Sequence, residues 1–258
     1  MKLKAILFFL LIFILIITLS ATEVKRVKNL TLSATDINLF ELECGAGNLN
    51  IMGVEGQKQL EVKATIVVSG IDEDEIDNFI KHDVQLTLKK DGNRAQLVSS
   101  IDTGVIATIF SSKEARIDLD VRIPKLMTLQ IEDGSGAVDI LNITGNVKLD
   151  DGSGSILIKD IYGNIDLEDG SGQVKIENIS GNVSIEDGSG ELSVKKIGGN
   201  VTVDDNSGEL SIKDIKGNVE VDDGSGSITI DGVEKDVTIH SAGSGDVSIH
   251  NVKGKIKR

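Results

Sequence analysis

The sequence predicts an all-β fold: a β-solenoid, read as a right-handed β-helix with 18-residue rungs, preceded by a β-rich capping region with one short helix. Three observations predict it. Asp-Gly-Ser-Gly begins at Asp133, Asp151, Asp169, Asp187 and Asp223, and Asp-Asn-Ser-Gly begins at Asp205, always 18 residues apart. A finer period of nine puts glycines at 136, 145, 154, 163, 172, 181, 190, 199, 208, 217 and 226. After each comes a short alternation of apolar and polar residues, such as Val138-Asp139-Ile140 and Val147-Lys148-Leu149. Alternation rich in β-branched residues means strand, and a fixed period means stacked units. So few apolar residues per strand cannot give a hairpin its own core, whereas stacked coils pool theirs.

The elements follow in chain order. Residues 1–20 read as a signal peptide: Lys2 and Lys4, an apolar run over 5–17, then the small residues of Thr18-Leu19-Ser20-Ala21. Left uncleaved, the same segment is a short N-terminal anchor. Residues 22–130 form a β-rich region that starts and caps the solenoid. Strands are expected at 37–42, 49–51 and 60–62, a helix over 72–81, strands at 84–88 and 95–101 around a turn at 91–93, and a strand over 116–123 that stops at Pro124. The acidic start of the helix suits its dipole, and Ile76, Phe79 and Ile80 give it an apolar face. The uncharged apolar stretch 104–110 reads as a covering loop or strand. Cys44-Gly45-Ala46-Gly47 looks like a degenerate Asp-Gly-Ser-Gly with Cys44 in the place of the Asp.

Residues 131–258 are read as a seven-rung repeat solenoid. Val138, Ile156, Val174, Leu192, Leu210, Ile228 and Val247 make one aliphatic column, and Ile140 to Ile249 and Ile143 to Val252 make others. Such columns fill a narrow interior without aromatics, which are only 3% of the chain. One corner is the column of Gly-Asn pairs from Gly145-Asn146 to Gly217-Asn218, where glycine is expected to supply positive φ and the stacked amides to bond up the column. The Asp-Gly-Ser-Gly column makes the other corner. Its seventh copy, Ala242-Gly243-Ser244-Gly245, comes 19 residues after Asp223, and the extra residue is placed at 232–236. Lysines at 253, 255 and 257 guard the last strand against edge pairing.

The Gly-Asn-Leu-Asn-Ile of 47–51, a small acidic helix, the Val121-Arg122-Ile123-Pro124 junction and the Gly-x-Val-x-Ile repeats together resemble the bacterial and archaeal "putative adhesin" β-strand-repeat family, a domain of unknown function. The resemblance covers about 36–258. It implies an exported or envelope-associated β-solenoid and carries over no catalytic residues.

Composition excludes several chemistries. A net charge of −14 argues against nucleic acid. A single Cys excludes an intrachain disulfide and a cysteine zinc cluster. The scarcity of aromatics argues against sugar- or base-stacking platforms. The seven equivalent corner serines read as a hydrogen-bonded turn ladder, not a nucleophile, which would be one special Ser beside a positioned His. His82, His240 and His250 are the only imidazoles. His240 and His250 read as surface residues, with a two-His metal site as the alternative.

The strongest chemical candidate is the acidic column. Residues 131–258 hold 24 acids and 12 bases, and 12 of those acids are the pairs from Glu132-Asp133 to Asp222-Asp223. In one reading each Asp caps its own turn while the preceding carboxylate stays in water. In the other, Asp133, Asp151, Asp169, Asp187, Asp205 and Asp223 hold Ca2+ between rungs, because hard cations take six to eight oxygens. No cofactor is required in either. Turn N–H bonds would lower the carboxyl pKa values, and mutual repulsion would raise them. The expected function is an exported, non-enzymatic, adhesin-like surface or periplasmic binding and scaffold module. Its partner is an unidentified cell-surface or envelope component, it touches membrane only through an uncleaved N-terminus, and it is a monomer. The alternatives are a polysaccharide-active β-helix enzyme and an end-to-end polymerising envelope scaffold.

Overall fold

The computed structural model describes residues 23–102 and 114–258. The signal segment and the apolar stretch 104–110 lie outside the described residues. In chain order the elements are β1 (Glu23–Ser33), β2 (Leu39–Ala46), β3 (Leu49–Val54), β4 (Gln59–Ser69), α1 (Ile76–Asp83), β5 (Val84–Asp91), β6 (Arg94–Ile101), β7 (Ala115–Pro124) and β8 (Thr128–Ile143). The repeats then alternate short and long strands: β9 (Val147–Asp151), β10 (Gly154–Ile161), β11 (Ile165–Asp169), β12 (Gly172–Ile179), β13 (Val183–Asp187), β14 (Gly190–Ile197), β15 (Val201–Asp205), β16 (Gly208–Ile215), β17 (Val219–Asp223) and β18 (Gly226–Val233). The last are β19 (Val237–Ala242), β20 (Val247–Val252) and β21 (Ile256–Lys257).

Two parallel sheets form the walls of the solenoid. β8, β10, β12, β14, β16, β18 and β20 build the long-strand sheet, with Ile140, Ile158, Ile176, Val194, Ile212, Ile230 and Ile249 in one register. β8, β9, β11, β13, β15, β17 and β19 build the short-strand sheet. β8 belongs to both, since it runs straight through the first corner. Each rung sends six side chains inward. In β9 and β10 they are Val147, Leu149, Asp151, Ile156, Ile158 and Ile161, each almost completely removed from solvent. The core is therefore five aliphatics and one carboxyl per rung.

The third aliphatic of each long strand follows the second by three residues, not two. A left-handed residue between them restores the inward direction: Asn142, Asp160, Asn178, Lys196, Asp214 and Asn251 all have φ near +60°. Asn and Asp tolerate that conformation best among residues with a side chain. Positive φ does not occur at Gly145 and its equivalents, contrary to expectation. Those glycines are required by closeness instead: a Cβ on Gly163 would sit 2.3 Å from the carbonyl oxygen of Gly145 one rung away. The expected positive φ falls on the last glycine of the other corner, at Gly136, Gly154, Gly172, Gly190, Gly208 and Gly226.

The extra residue of the last rung is also elsewhere than expected. Val233 pairs with Ile215 and Val237 with Val219, so 232–236 keeps the 18-residue register. The register slips in β19, where Ile239 pairs with Val221 but Ser241 with Asp222, leaving His240 as a bulge. The reason lies in the neighbouring corner. Asp236 stands in for the Asn there, donating its N–H to Asn218 Oδ1 and accepting from Lys255 N–H. A strand bulge absorbs the residue without breaking that ladder.

The N-terminal region continues the same stack, out of chain order. β2 pairs in parallel with the first half of β8 and β3 with the second half, so β2 and β3 are one more rung. β6 and β7 form the next rung outward, parallel to β2 and β3. After β7 the chain passes over the β2–β3 rung to reach β8. Antiparallel strands then end each sheet: β4 and β1 beyond β7, and β5 beyond β6. β1 has no counterpart in the sequence-based expectation, since its mostly polar edge face lacks clean alternation. α1 starts at Ile76, four residues later than expected, because 72–75 is spent on a turn closed by Glu75 N–H to Asp72 C=O. It joins β4 to β5 and buries Ile76, Phe79 and Ile80 in the common core.

Candidate functional site

Strand alternation decides where the acidic pairs point. In each short strand the two aliphatics face inward, so the first acid of the pair faces water and the second faces the core. Glu132, Asp150, Glu168, Glu186, Asp204 and Asp222 are exposed. Asp133, Asp151, Asp169, Asp187, Asp205 and Asp223 are buried, none more than 7% exposed. The parallel register stacks them carboxyl above carboxyl. The column is continued by Cys44, which pairs with Asp133, and then by the buried Ser99, which pairs with Cys44. Cys44 thus occupies the Asp place of a degenerate corner, as the sequence predicts. At the other end Ala242 stands opposite Asp223.

Backbone bonds along the stack hold the corner. Gly152, Gly170, Gly188 and Gly224 donate to the carbonyls of Asp133, Asp151, Asp169 and Asp205 at 2.8–3.0 Å. Gly154, Gly172, Gly190 and Gly208 donate to the serine carbonyls of the following rung, so the serine ladder runs through the backbone. Four of the six Asp residues also cap their own turns: Oδ1 of Asp169, Asp187, Asp205 and Asp223 accepts from the N–H of the serine two residues on, at 3.3, 3.2, 2.9 and 3.0 Å. The second oxygen of these four finds no donor, nor does either carboxyl oxygen of Asp133 and Asp151.

A buried carboxylate oxygen without a donor is costly, and the cheapest remedy is a proton. Burial, then the charge of Asp151, pushes the Asp133 carboxyl up to about 8. Burial, then the charges of Asp187 and Asp151, pushes Asp169 up to about 6. Asp205 is also pushed to about 6, by burial and then by Asp187, with the Ser207 N–H opposing and Asp223 and Asp204 adding to the rise. Asp151, Asp187 and Asp223 are raised too, with burial the first cause of each. The turn N–H bonds form as one reading expects, yet the shift runs the other way because burial outweighs them. At the head of the column burial, then Asp133 and Glu43, pushes the Cys44 thiol up to about 12, so it stays protonated. A carboxyl that keeps its proton can donate it to the orphan oxygen of the next rung.

The other residues singled out by sequence do not converge. Among the described residues, no group of three or more His, Cys, Asp or Glu is placed to hold a metal ion. His240 Nε2 lies 4.0 Å from Glu220 on the exposed face. His250 Nε2 lies 2.8 Å from Ser248 Oγ, but its other ring nitrogen has no carboxylate to orient it among the described residues, so the pair lacks the third member of a nucleophilic triad. Among the described residues no helix is long and apolar enough to cross a membrane.

Outside, the two walls differ in charge. The short strands carry the exposed acids, with Lys148 as their only outward base between β9 and β17. From β10 to β16 the long strands and the corner after them carry Lys159, Lys175, Lys195, Lys196, Lys213 and Lys216 beside Asp160, Glu177, Glu191, Glu209 and Asp214, and so are close to neutral.

The family model described as Toastrack DUF4097 matches residues 47–257. A search of curated proteins finds no match. Among solved structures, a "putative cell adhesion protein" from Clostridium sporogenes matches at 16% identity, covering 90% of this chain and 98% of its own, with a TM-score of 0.32. A "putative adhesin" from Bacteroides fragilis matches at 16% identity, over 90% of this chain and 96% of its own, with a TM-score of 0.37. A "putative lipid binding protein" from Parabacteroides distasonis matches at 13% identity, over 91% and 96%, with a TM-score of 0.35. These superpositions are loose, and the solenoid assignment stands on the strand ladder itself.

Proposed function

The chain belongs to the Toastrack DUF4097 family, and from that premise we propose that it is an exported, non-enzymatic solenoid that works at the cell surface or in the periplasm as an adhesin-like binding and scaffold module. One observation carries the reading. The acidic pairs, the corner serines and the corner asparagines belong to columns that recur rung after rung, so this chemistry is spread along faces instead of gathered in a cleft. Catalysis needs unique, converging acid, base and orienting groups. A rigid face with evenly spaced side chains suits contact with an extended partner. The charge difference between the two walls gives such a partner a side to prefer.

The test is capture of envelope material. The protein as its producing cell processes it is immobilised and offered solubilised envelope glycans, lipids and proteins. Retention of a defined component supports the module. Retention of nothing, together with turnover of an envelope polysaccharide, sinks it in favour of the enzyme. The length of the processed chain, read by mass in the same preparation, tests the export signal at 1–20.

A further inference from the structure

One aromatic side chain escapes the core. Of the described aromatics Phe40 and Phe79 are buried, whereas Tyr162 is 65% exposed. It stands at the corner after the long strands, in a column that otherwise reads Thr144, Ser180, Gly198, Lys216 and Glu234. The change from a large ring to Ser, then to no side chain, then to a long Lys opens a recess of about 560 Å3 along the stack. Tyr162 walls one end and Lys216 the other. Asn178, Ser180, Lys196 and Asp214 line it between them.

The charge of the recess is unusual for this molecule. The chain has 41 acids against 27 bases, so most lysines could find a carboxylate. Lys196 does, 3.3 Å from Glu177. Lys216 forms no ion pair among the described residues, and neither do the surrounding Lys159, Lys195 and Lys213. Lys196, Lys159 and Lys175 all help to hold the Glu177 carboxyl below its ordinary range, and in the lining of the recess two bases, Lys196 and Lys216, face one acid, Asp214. An ammonium without an ion partner among the described residues, Lys216, at the end of a recess floored by Ile161, Ile179 and Ile197 can receive an anion. The ring face of Tyr162 selects what kind. A flat aromatic face covers the C–H face of a pyranose, while the Tyr162 hydroxyl meets the sugar's own hydroxyls; Asn178 Nδ2 and Ser180 Oγ already donate to Asp160 and to the Ile161 carbonyl. Three rungs separate Tyr162 from Lys216, about 14 Å at the ordinary strand spacing. That span suits a short run of sugars better than one.

We propose that this recess is a binding subsite for an acidic oligosaccharide, with one pyranose ring on Tyr162 and a uronate carboxylate on Lys216. The assignment rests on the binding-module reading and names its ligand class. It also limits the inference drawn from composition: scarce aromatics exclude an extended stacking platform, not a single ring placed at a notch.

The experiment is titration of the processed protein with oligogalacturonate, with a neutral oligosaccharide of equal length and with inorganic phosphate, followed by calorimetry. The variants are Tyr162→Ser and Lys216→Glu. Each installs the residue that the next rung of the same column already carries, at Ser180 and Glu234, so the fold tolerates both. The expected result is saturable binding of the uronate oligomer, roughly tenfold weaker in either variant, and much weaker binding of the neutral oligomer. Uronate binding that neither variant weakens overturns the subsite. So does dependence on Lys216 alone with equal displacement by phosphate, which describes an anion site without sugar recognition. Envelope material retained equally by the parent and both variants overturns this subsite while leaving the module reading intact. A protein that retains nothing overturns the module reading, whatever the calorimetry shows.

Discussion

The two corners of each rung solve the same problem with different atoms. Each recurs every 18 residues, so together they turn the chain every nine, and both rely on glycines packed against the rung below. At the Gly-Asn corner each Asn Oδ1 accepts the backbone N–H of the next Asn, at 2.8–2.9 Å from Asn146 through Asn218. From Asn146 to Asn218 that ladder is neutral, and Asp236 continues it. At the Asp-Gly-Ser-Gly corner from Asp169 to Asp223 one oxygen caps the turn and the other is buried without a donor, and at Asp133 and Asp151 neither oxygen has one. The amide corner is indifferent to pH. The carboxyl corner is not, because a proton can supply its missing donor. The difference teaches that the net charge of −14 overstates how charged the interior is.

The largest effect comes from breaking what both corners share. Gly172→Ala puts a Cβ 1.6 Å from the Gly154 carbonyl oxygen at φ +145°. It is expected to cost more than about 4 kcal/mol, read as a collapse of the melting transition. Next is removal of the difference. Asp169→Asn and Asp205→Asn keep the oxygen that caps the turn and supply a permanent N–H to the orphan neighbour. Raised from 3.8 to about 6, each buried carboxyl penalises the fold by about 3 kcal/mol once ionised. The double variant should therefore melt on the order of 10 °C higher than the parent at pH 8, and no higher at pH 4. An equal change at both pH values breaks the comparison.

The sign follows from linkage. The folded column holds protons that the unfolded chain has released above about pH 4. Its stabilising effect is complete below that pH and is lost as pH rises through 6 to 8. A smaller effect is expected at the neutral corner. Asn200→Ala leaves the N–H of Asn218 without its acceptor and should cost about 1 kcal/mol, equally at pH 5 and pH 8. The smallest is that of calcium. If protons satisfy the column, millimolar Ca2+ leaves the melting temperature unchanged at pH 5. A clear rise would support cations between the rungs instead.

The repeat made the solenoid legible. Eighteen-residue identity set the register of every rung from β8 to β18, and the degenerate Cys44-Gly45-Ala46-Gly47 was enough to place β2 and β3 on the same stack. The order of the N-terminal rungs was not legible. Pairing of β6 and β7 outside β2 and β3 is a long-range choice among similar alternating strands, and no local residue marks it. The left-handed kink had a signal, the three-residue step from Ile140 to Ile143 around an Asn. The burial of Asp133 to Asp223 had one too. Counting by twos from the aliphatics of each short strand puts the second acid inside. Charge suggested the opposite face, and alternation prevailed because the strand backbone leaves it no choice.

The central claim is that the buried aspartates keep their protons well above the usual carboxylate range. Infrared spectroscopy of the protonated carboxyl C=O stretch, followed through a pH titration of the folded protein, tests it most directly. The account predicts a protonated-carboxyl band that persists at about pH 5.5, where an ordinary Asp near 3.9 is ionised, fades between about 6 and 8, and is diminished in the Asp169→Asn, Asp205→Asn variant. A band fully lost by about pH 4.5, with the parent and the variant alike, would contradict it.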